Sequence, residues 1–279
     1  MDRIVIEANG QHFDALACGP RDGELLLCLH GFPQFADAWL PILENFAARG
    51  YRAVAFDQRG YSPGARPLKR AAYTMPHLVA DVIAVADALA VHRFHLVGHD
   101  WGGAVGWAVA GGYADRLKTL TILSTPHPSA LAAAIRSDPD QQARSAYMLM
   151  FRAAPGIAET YLLADDAAQL RAAYRGKVAP TQVEPIVARL REDGALTAAL
   201  NWYRAMGDNS LVGQIIVPTL FAWGDEDQAL GRTAALATAR FVDGPYRFEI
   251  VEGGSHWLID ERPEQIIALL APHLQTPRG

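Results

Sequence analysis

Apolar positions fall into two alternating rhythms along most of the chain. Residues 3–7 and 11–18 read as strands flanking Asn9-Gly10, a dipeptide suited to the positive backbone angles of a hairpin turn. A third strand is expected over 24–29. A helix over 39–49, a strand over 52–56, a helix over 77–90 and a strand over 93–98 follow. Short continuous apolar runs such as Leu25-Leu26-Leu27 and Phe94-His95-Leu96-Val97 suit strands covered on both faces, as parallel strands joined through helices must be. A helix over 101–110 then leads into a strand over 119–123.

The rhythm changes after that strand. Segments 130–135, 143–151, 181–190 and 195–206 have helical periodicity with no strand between them. Strand and helix then alternate again, with strands over 218–222 and 246–251 and helices over 233–241 and 263–274. The pattern predicts an α/β core, a mostly parallel twisted sheet flanked by helices, formed by 1–125 and 214–279. A helical lid, 126–213, is inserted in it. With no repeat or flexible linker in view, the lid is expected to pack on the core.

Composition narrows the function classes. The net charge of -5 and the scatter of 25 Lys and Arg leave no basic stripe for a nucleic acid. No stretch supplies the roughly 18 uncharged apolar residues that span a bilayer, since Asp81 and Asp87 interrupt 79–91, so no membrane partner is expected. The opening residues lack the apolar core and cleavage site of a signal peptide, so a cytoplasmic protein is expected. The two cysteines, Cys18 and Cys28, sit among strand-like apolar residues and read as small buried side chains. Oligomeric state stays open, a homodimer being one arrangement.

The chemistry concentrates at strand ends. Gly98-His99-Asp100-Trp101-Gly102-Gly103 stands between a predicted strand and a predicted helix, with small residues permitting the sharp turn that exposes a nucleophile. Asp100 holds the nucleophile position, although an aspartate there also suits a helix N-cap. An acidic turn, Asp225-Glu226-Asp227, follows the strand ending near 222, and His256 follows the strand ending near 251. Nucleophile, acid and histidine thus occur in the chain order of an α/β-hydrolase fold, each beyond the carboxyl end of a strand. Any of the three acids in that turn fits the pattern, and a solvated turn or a packing histidine is the plainer alternative for each residue alone. After the third strand, His30-Gly31-Phe32-Pro33 occupies the place where this fold supplies one oxyanion-hole amide, the other coming from the residue after the nucleophile. This assigns the backbone N–H groups of Phe32 and Trp101, with His30 structural. Neither a metal-ligand cluster nor a cofactor motif is visible, and neither a metal nor a cofactor is expected.

With these segments in hand, the chain resembles the epoxide hydrolase branch of the α/β-hydrolase superfamily over essentially its full length. The resemblance rests on His30-Gly31-Phe32-Pro33, Asp57-Gln58-Arg59-Gly60-Tyr61-Ser62, Gly98-His99-Asp100-Trp101-Gly102-Gly103 and Gly224-Asp225-Glu226-Asp227. It implies Asp227 as the acid. It also implies two lid tyrosines over the nucleophile: Tyr147, in Tyr147-Met148-Leu149-Met150-Phe151, and Tyr203, in Asn201-Trp202-Tyr203-Arg204. Tyr161 and Tyr174 lack that context. The implied activity is opening of a small-molecule epoxide through a covalent Asp100 ester, which water hydrolyses to a vicinal diol.

Two other activities use related machinery. A haloalkane dehalogenase employs the same Asp-His-Asp triad, but must hold a halide with N–H donors, and Phe32 offers no polar side chain for that. A fluoroacetate dehalogenase also resembles the chain at 30–34, but carries arginines after its nucleophile, where this chain has Trp101 and small or apolar residues. A ligand-binding protein that keeps the fold without turnover is the alternative of a different class.

Overall fold

A computed structural model describes residues 1–207 and 212–276, so 208–211 of the expected lid and the last three residues of the expected core lie outside the described residues. β1 (Asp2–Ala8) and β2 (Gln11–Cys18) form the hairpin around Asn9 and Gly10, both with positive φ. Six further strands complete one sheet: β3 (Leu25–Leu29), β4 (Arg52–Phe56), β5 (Phe94–His99), β6 (Leu117–Leu123), β7 (Thr219–Gly224) and β8 (Tyr246–Val251). Their order is β1-β2-β4-β3-β5-β6-β7-β8. β1–β2 and β2–β4 are antiparallel, and the remaining pairings are parallel.

The all-apolar β3 shows why the run is continuous. Leu25, Leu27 and Leu29 enter the core shared with α2 (Met75–Ala88) and α3 (Trp101–Gly112), whereas Leu26 and Cys28 enter the core shared with α1 (Leu40–Ala48) and α12 (Pro263–His273). Successive side chains point to opposite faces, and a helix covers each face. Burial of each such leucine contributes about 2 kcal/mol.

Between β6 and β7 the described chain forms only helices: α4 (Pro128–Ser137), α5 (Pro139–Ser145), α6 (Tyr147–Phe151), α7 (Ile157–Ala172), α8 (Pro180–Leu190) and α9 (Ala195–Arg204). The segment 143–151, read from the sequence as one helix, is divided between α5 and α6. Helix α7 escapes the sequence reading because it is broken: Ala164 is extended, and Asp165, Asp166 and Ala167 are left-handed. The buried positions Ala158, Leu162, Ala167 and Leu170 therefore keep no single helical period.

This insertion is fastened to the sheet by polar and stacking contacts. Arg189 of α8 lies 3.6 Å over the Phe35 ring centroid and pairs with Asp57 and with Asp37. Trp202 of α9 donates its indole N–H to the Arg59 carbonyl at 2.7 Å. Arg59 is itself locked in a two-pronged buried pair with Asp81, both bonds 2.6 Å. Two shorter helices, α10 (Arg232–Ala237) and α11 (Leu258–Glu261), flank β8 in sequence.

Candidate active site

Asp100 occupies the turn from β5 into α3 with φ 52° and ψ -121°, a sparsely populated conformation for a non-glycine residue. Close packing fixes it. A β-carbon on Gly102 would fall 2.1 Å from the Leu29 carbonyl oxygen, and one on Gly98 would fall 2.3 Å from that of Gly102. Only glycine lets the strand, the turn and α3 approach this closely.

The Asp100 carboxylate accepts the Phe32 N–H at 2.7 Å and also a hydrogen bond from the Trp101 N–H. Both amides expected from the sequence thus converge on it. Burial pulls this carboxyl upward, but the His256 hydrogen bond, the nearby His256 and His99 rings and the Trp101 N–H outweigh it and hold the group below its ordinary value. The side chain keeps a small opening, 14% exposed.

His256 Nε2 stands 3.4 Å from Asp100 Oδ2, and His256 Nδ1 lies 2.8 Å from Asp227 Oδ2. Of the three acids in the turn after β7, Asp227 is thus the one that reaches the imidazole. Its other oxygen accepts the N–H groups of Ala229 and Leu230 at 2.8 and 3.0 Å, which fixes the carboxylate against rotation. Asp225 instead accepts from the Gly253 N–H, and Glu226 pairs with Lys177. Burial alone would lower the His256 pKa, but the two carboxylates raise it to about 10.

Tyr203 of α9 and Tyr147 of α6 lie with ring centroids 6.3 Å apart and border the same cavity as Asp100. Tyr203 is buried, with its ring 5.0 Å from Phe151 and edge-on to Trp101 at 5.1 Å. Burial first, and then the Asp100 charge, push both phenols well above their ordinary value, so both remain protonated.

Other residues brace these groups without having been singled out for it. His99 donates to the His256 carbonyl at 2.7 Å, and Ser124 donates to the same oxygen at 2.9 Å. Gln141 of α5, fully buried, donates to the Ala229 carbonyl and accepts the Gly231 N–H, gripping the loop after Asp227. Gln34 donates to Asp260 at 2.8 Å. No sequence signal marks these residues, because each acts on a segment 88 or more positions away. His30 is buried and neutral, its pKa lowered by burial to about 4, and its Nε2 accepts the Gln58 N–H, so it braces the loop that carries Phe32. Tyr174 is packed on Trp257, whereas Tyr161, set aside in the sequence, borders the cavity.

The cavity has two arms that meet at Asp100, Tyr147 and Tyr203. The larger holds about 510 Å³ and the smaller about 190 Å³. Together they are in the range of small-molecule sites. No described helix is long and apolar enough to cross a membrane.

The family model for the α/β hydrolase fold matches residues 24–263. The chain is similar to Epoxide hydrolase 3 of Xenopus tropicalis, with 33% identity over 284 residues that cover 98% of this chain and 77% of that protein. It is also similar to the AB hydrolase superfamily protein YfhM of Bacillus subtilis (strain 168), with 33% identity covering 97% of each. Among solved structures, one of novel epoxide hydrolases from metagenomes of hot environments superimposes with a TM-score of 0.89 at 27% identity, covering 98% of each chain. Fold, site geometry and these similarities agree, and the chain belongs to the α/β-hydrolase family and, within it, to the epoxide hydrolases.

Proposed function

We propose that the chain hydrolyses epoxides in two steps, with Asp100 as the covalent nucleophile. The observation that carries this reading is the convergence on one carboxylate of two backbone N–H groups, an imidazole at 3.4 Å and a pair of phenols lining the same cavity.

In the first step an Asp100 oxygen attacks an epoxide carbon, the carbon–oxygen bond breaks, and the alkoxide takes a proton from Tyr147 or Tyr203. A phenol suits this task because it stays protonated in the resting enzyme yet is far more acidic than the alcohol it creates. The phenolate later regains a proton from solvent.

The second step needs a base, and ester formation creates one. In the resting site both Asp100 and Asp227 favour imidazolium at His256. Esterification removes the Asp100 charge, so the His256 pKa falls and the neutral ring becomes accessible. His256 then takes a proton from water while the oxygen of that water attacks the Asp100 carbonyl carbon. The Phe32 and Trp101 N–H groups receive the oxyanion, a donor of this kind being worth about 3 kcal/mol. Collapse expels the diol oxygen, which takes the proton from His256, and leaves Asp100 as a carboxylic acid; loss of its proton to solvent restores the carboxylate and balances the proton that the phenolate regained.

Segment 126–213 acts as the lid in this scheme, since it contributes both phenols and much of the cavity wall. Two buried free cysteines, Cys18 and Cys28, fit the cytoplasm as the compartment. The dehalogenase alternative is disfavoured because two phenols line the cavity, where an opening epoxide needs a proton, and Phe32 offers no polar side chain to hold a departing halide.

The test is one turnover of styrene oxide in heavy-oxygen water with enzyme in excess, followed by peptide mass analysis. The mechanism requires label in the peptide carrying Asp100 and none in the diol. Label in the diol alone would replace it with direct attack by water.

A further inference from the structure

The larger arm of the cavity carries a charge that opening a neutral epoxide does not need. Several polar side chains on its wall are already engaged. Arg144 donates to Asp140 at 2.7 Å and to the Asp227 carbonyl, Tyr161 donates to Gln169 at 3.0 Å, and Gln228 donates to the Glu226 carbonyl at 2.6 Å. Arg175 differs: its guanidinium forms no hydrogen bond or ion pair with any described residue.

The backbone beneath Arg175 is also atypical. Its φ is 48° and that of the following Gly176 is 71°, so an arginine stands where glycine or asparagine would be unstrained. Such a residue in the left-handed region costs about 1 kcal/mol. Among the described residues, Asp100 is the one carboxylate bordering either arm, so no acid on the wall neutralises Arg175. The smaller arm has no cation among its described residues and is walled largely by apolar side chains such as Leu131, Ile135 and Met206.

Resting on the epoxide-opening reading above, we propose that Arg175 is a specificity-determining residue that receives a carboxylate borne by the substrate. The preferred substrates are then epoxides with an anionic group on the portion lying in the larger arm and an apolar substituent in the smaller one. A guanidinium matches a carboxylate with two parallel N–H donors. Because Arg175 lies at an exposed position, salt weakens the attraction.

The test uses a homologous series of straight-chain ω-epoxyalkanoates and their methyl esters, with styrene oxide as an uncharged reference. The wild-type enzyme should show a lower KM for the acid than for its ester at one optimal chain length, by roughly five- to tenfold, and this preference should shrink as salt is added. Arg175→Gly, which relaxes the backbone, should abolish the preference while leaving kcat and styrene oxide turnover unchanged. Arg175→Lys should retain part of it. An acid-to-ester ratio that stays the same in Arg175→Gly at every length, with styrene oxide still hydrolysed normally, would overturn the role of Arg175 and leave the hydrolase reading intact. Calorimetric binding of the diol acids against the diol esters decides the same question without turnover. Equal affinities in wild type and Arg175→Gly would overturn it even if epoxide opening itself failed.

Discussion

Gly31 lies so close to Asp100 that a β-carbon at position 31 would fall 2.2 Å from Asp100 Oδ1. The absent side chain is therefore the space that the Asp100 carboxylate occupies. The same β-carbon would fall 2.3 Å from the Asp100 β-carbon, which no side-chain rotation moves, so Gly31→Ala must shift the backbone of the turn that carries Asp100. It should lower kcat about 100-fold by displacing the attacking oxygen. Steady-state kinetics together with circular dichroism check this; near-normal kcat would mean that the carboxylate can attack from another position.

The link between Asp100 and the basicity of His256 can be observed directly. Asp100→Asn removes the charge that ester formation removes, so the His256 titration, followed by NMR of its ring protons, should move from about 10 toward the ordinary histidine range. Stability follows the same sign. A histidine whose folded value lies above its unfolded value contributes stability fully below about 6.5 and loses it as pH rises toward 10. Wild-type melting temperature should therefore fall more steeply from pH 7 to 10 than that of Asp100→Asn. Parallel curves would exclude the imidazolium.

Replacing His256 by Gln should permit the first step and block the second. The expected result is a stoichiometric burst with the Asp100 ester accumulating, detected as a mass shift of the intact protein. Rapid multiple turnover would remove His256 from the role of base.

The phenols can be separated by consequence. Tyr147→Phe and Tyr203→Phe together should reduce epoxide opening by at least about 100-fold, the usual worth of a positioned acid. Tyr203→Phe alone should also shift stability by roughly 1 kcal/mol, because the Tyr203 hydroxyl is buried among Trp101 and Phe151. Tyr147 is 39% exposed, and Tyr147→Phe should be nearly neutral to stability. Rapid-quench kinetics and thermal unfolding provide the two readouts.

Asp260 supplies a second pH dependence near neutrality. Burial raises its carboxyl to about 7, with Glu261 adding to the rise and the Gln34 amide and His256 opposing it, while Tyr174 lies within its field. The protonated form is favoured in the fold, so stability should decline as pH climbs from about 4 to 7. Asp260→Asn should match wild type below pH 4 and exceed it by about 1 to 2 kcal/mol above pH 7. Urea denaturation at pH 4 and pH 8 measures the difference, and an equal gap at both would show that Asp260 ionises freely.

Much of this molecule was legible before any coordinates. Runs such as Leu25-Leu26-Leu27, the Asn9-Gly10 turn and the glycines around Asp100 determined strand, hairpin and elbow because local sterics and burial act on neighbours in the chain. The acidic turn after β7 named three candidates for the acid, and only resemblance favoured Asp227. Tertiary structure supplied the distance to His256, since which carboxylate reaches an imidazole 29 residues away depends on how two strand ends lie side by side. The same holds for the phenols, the Gln141 grip on the Asp227 loop and the unpaired Arg175 in the cavity wall. Their environments are made by segments distant in sequence, and no local period or motif encodes what will pack against them.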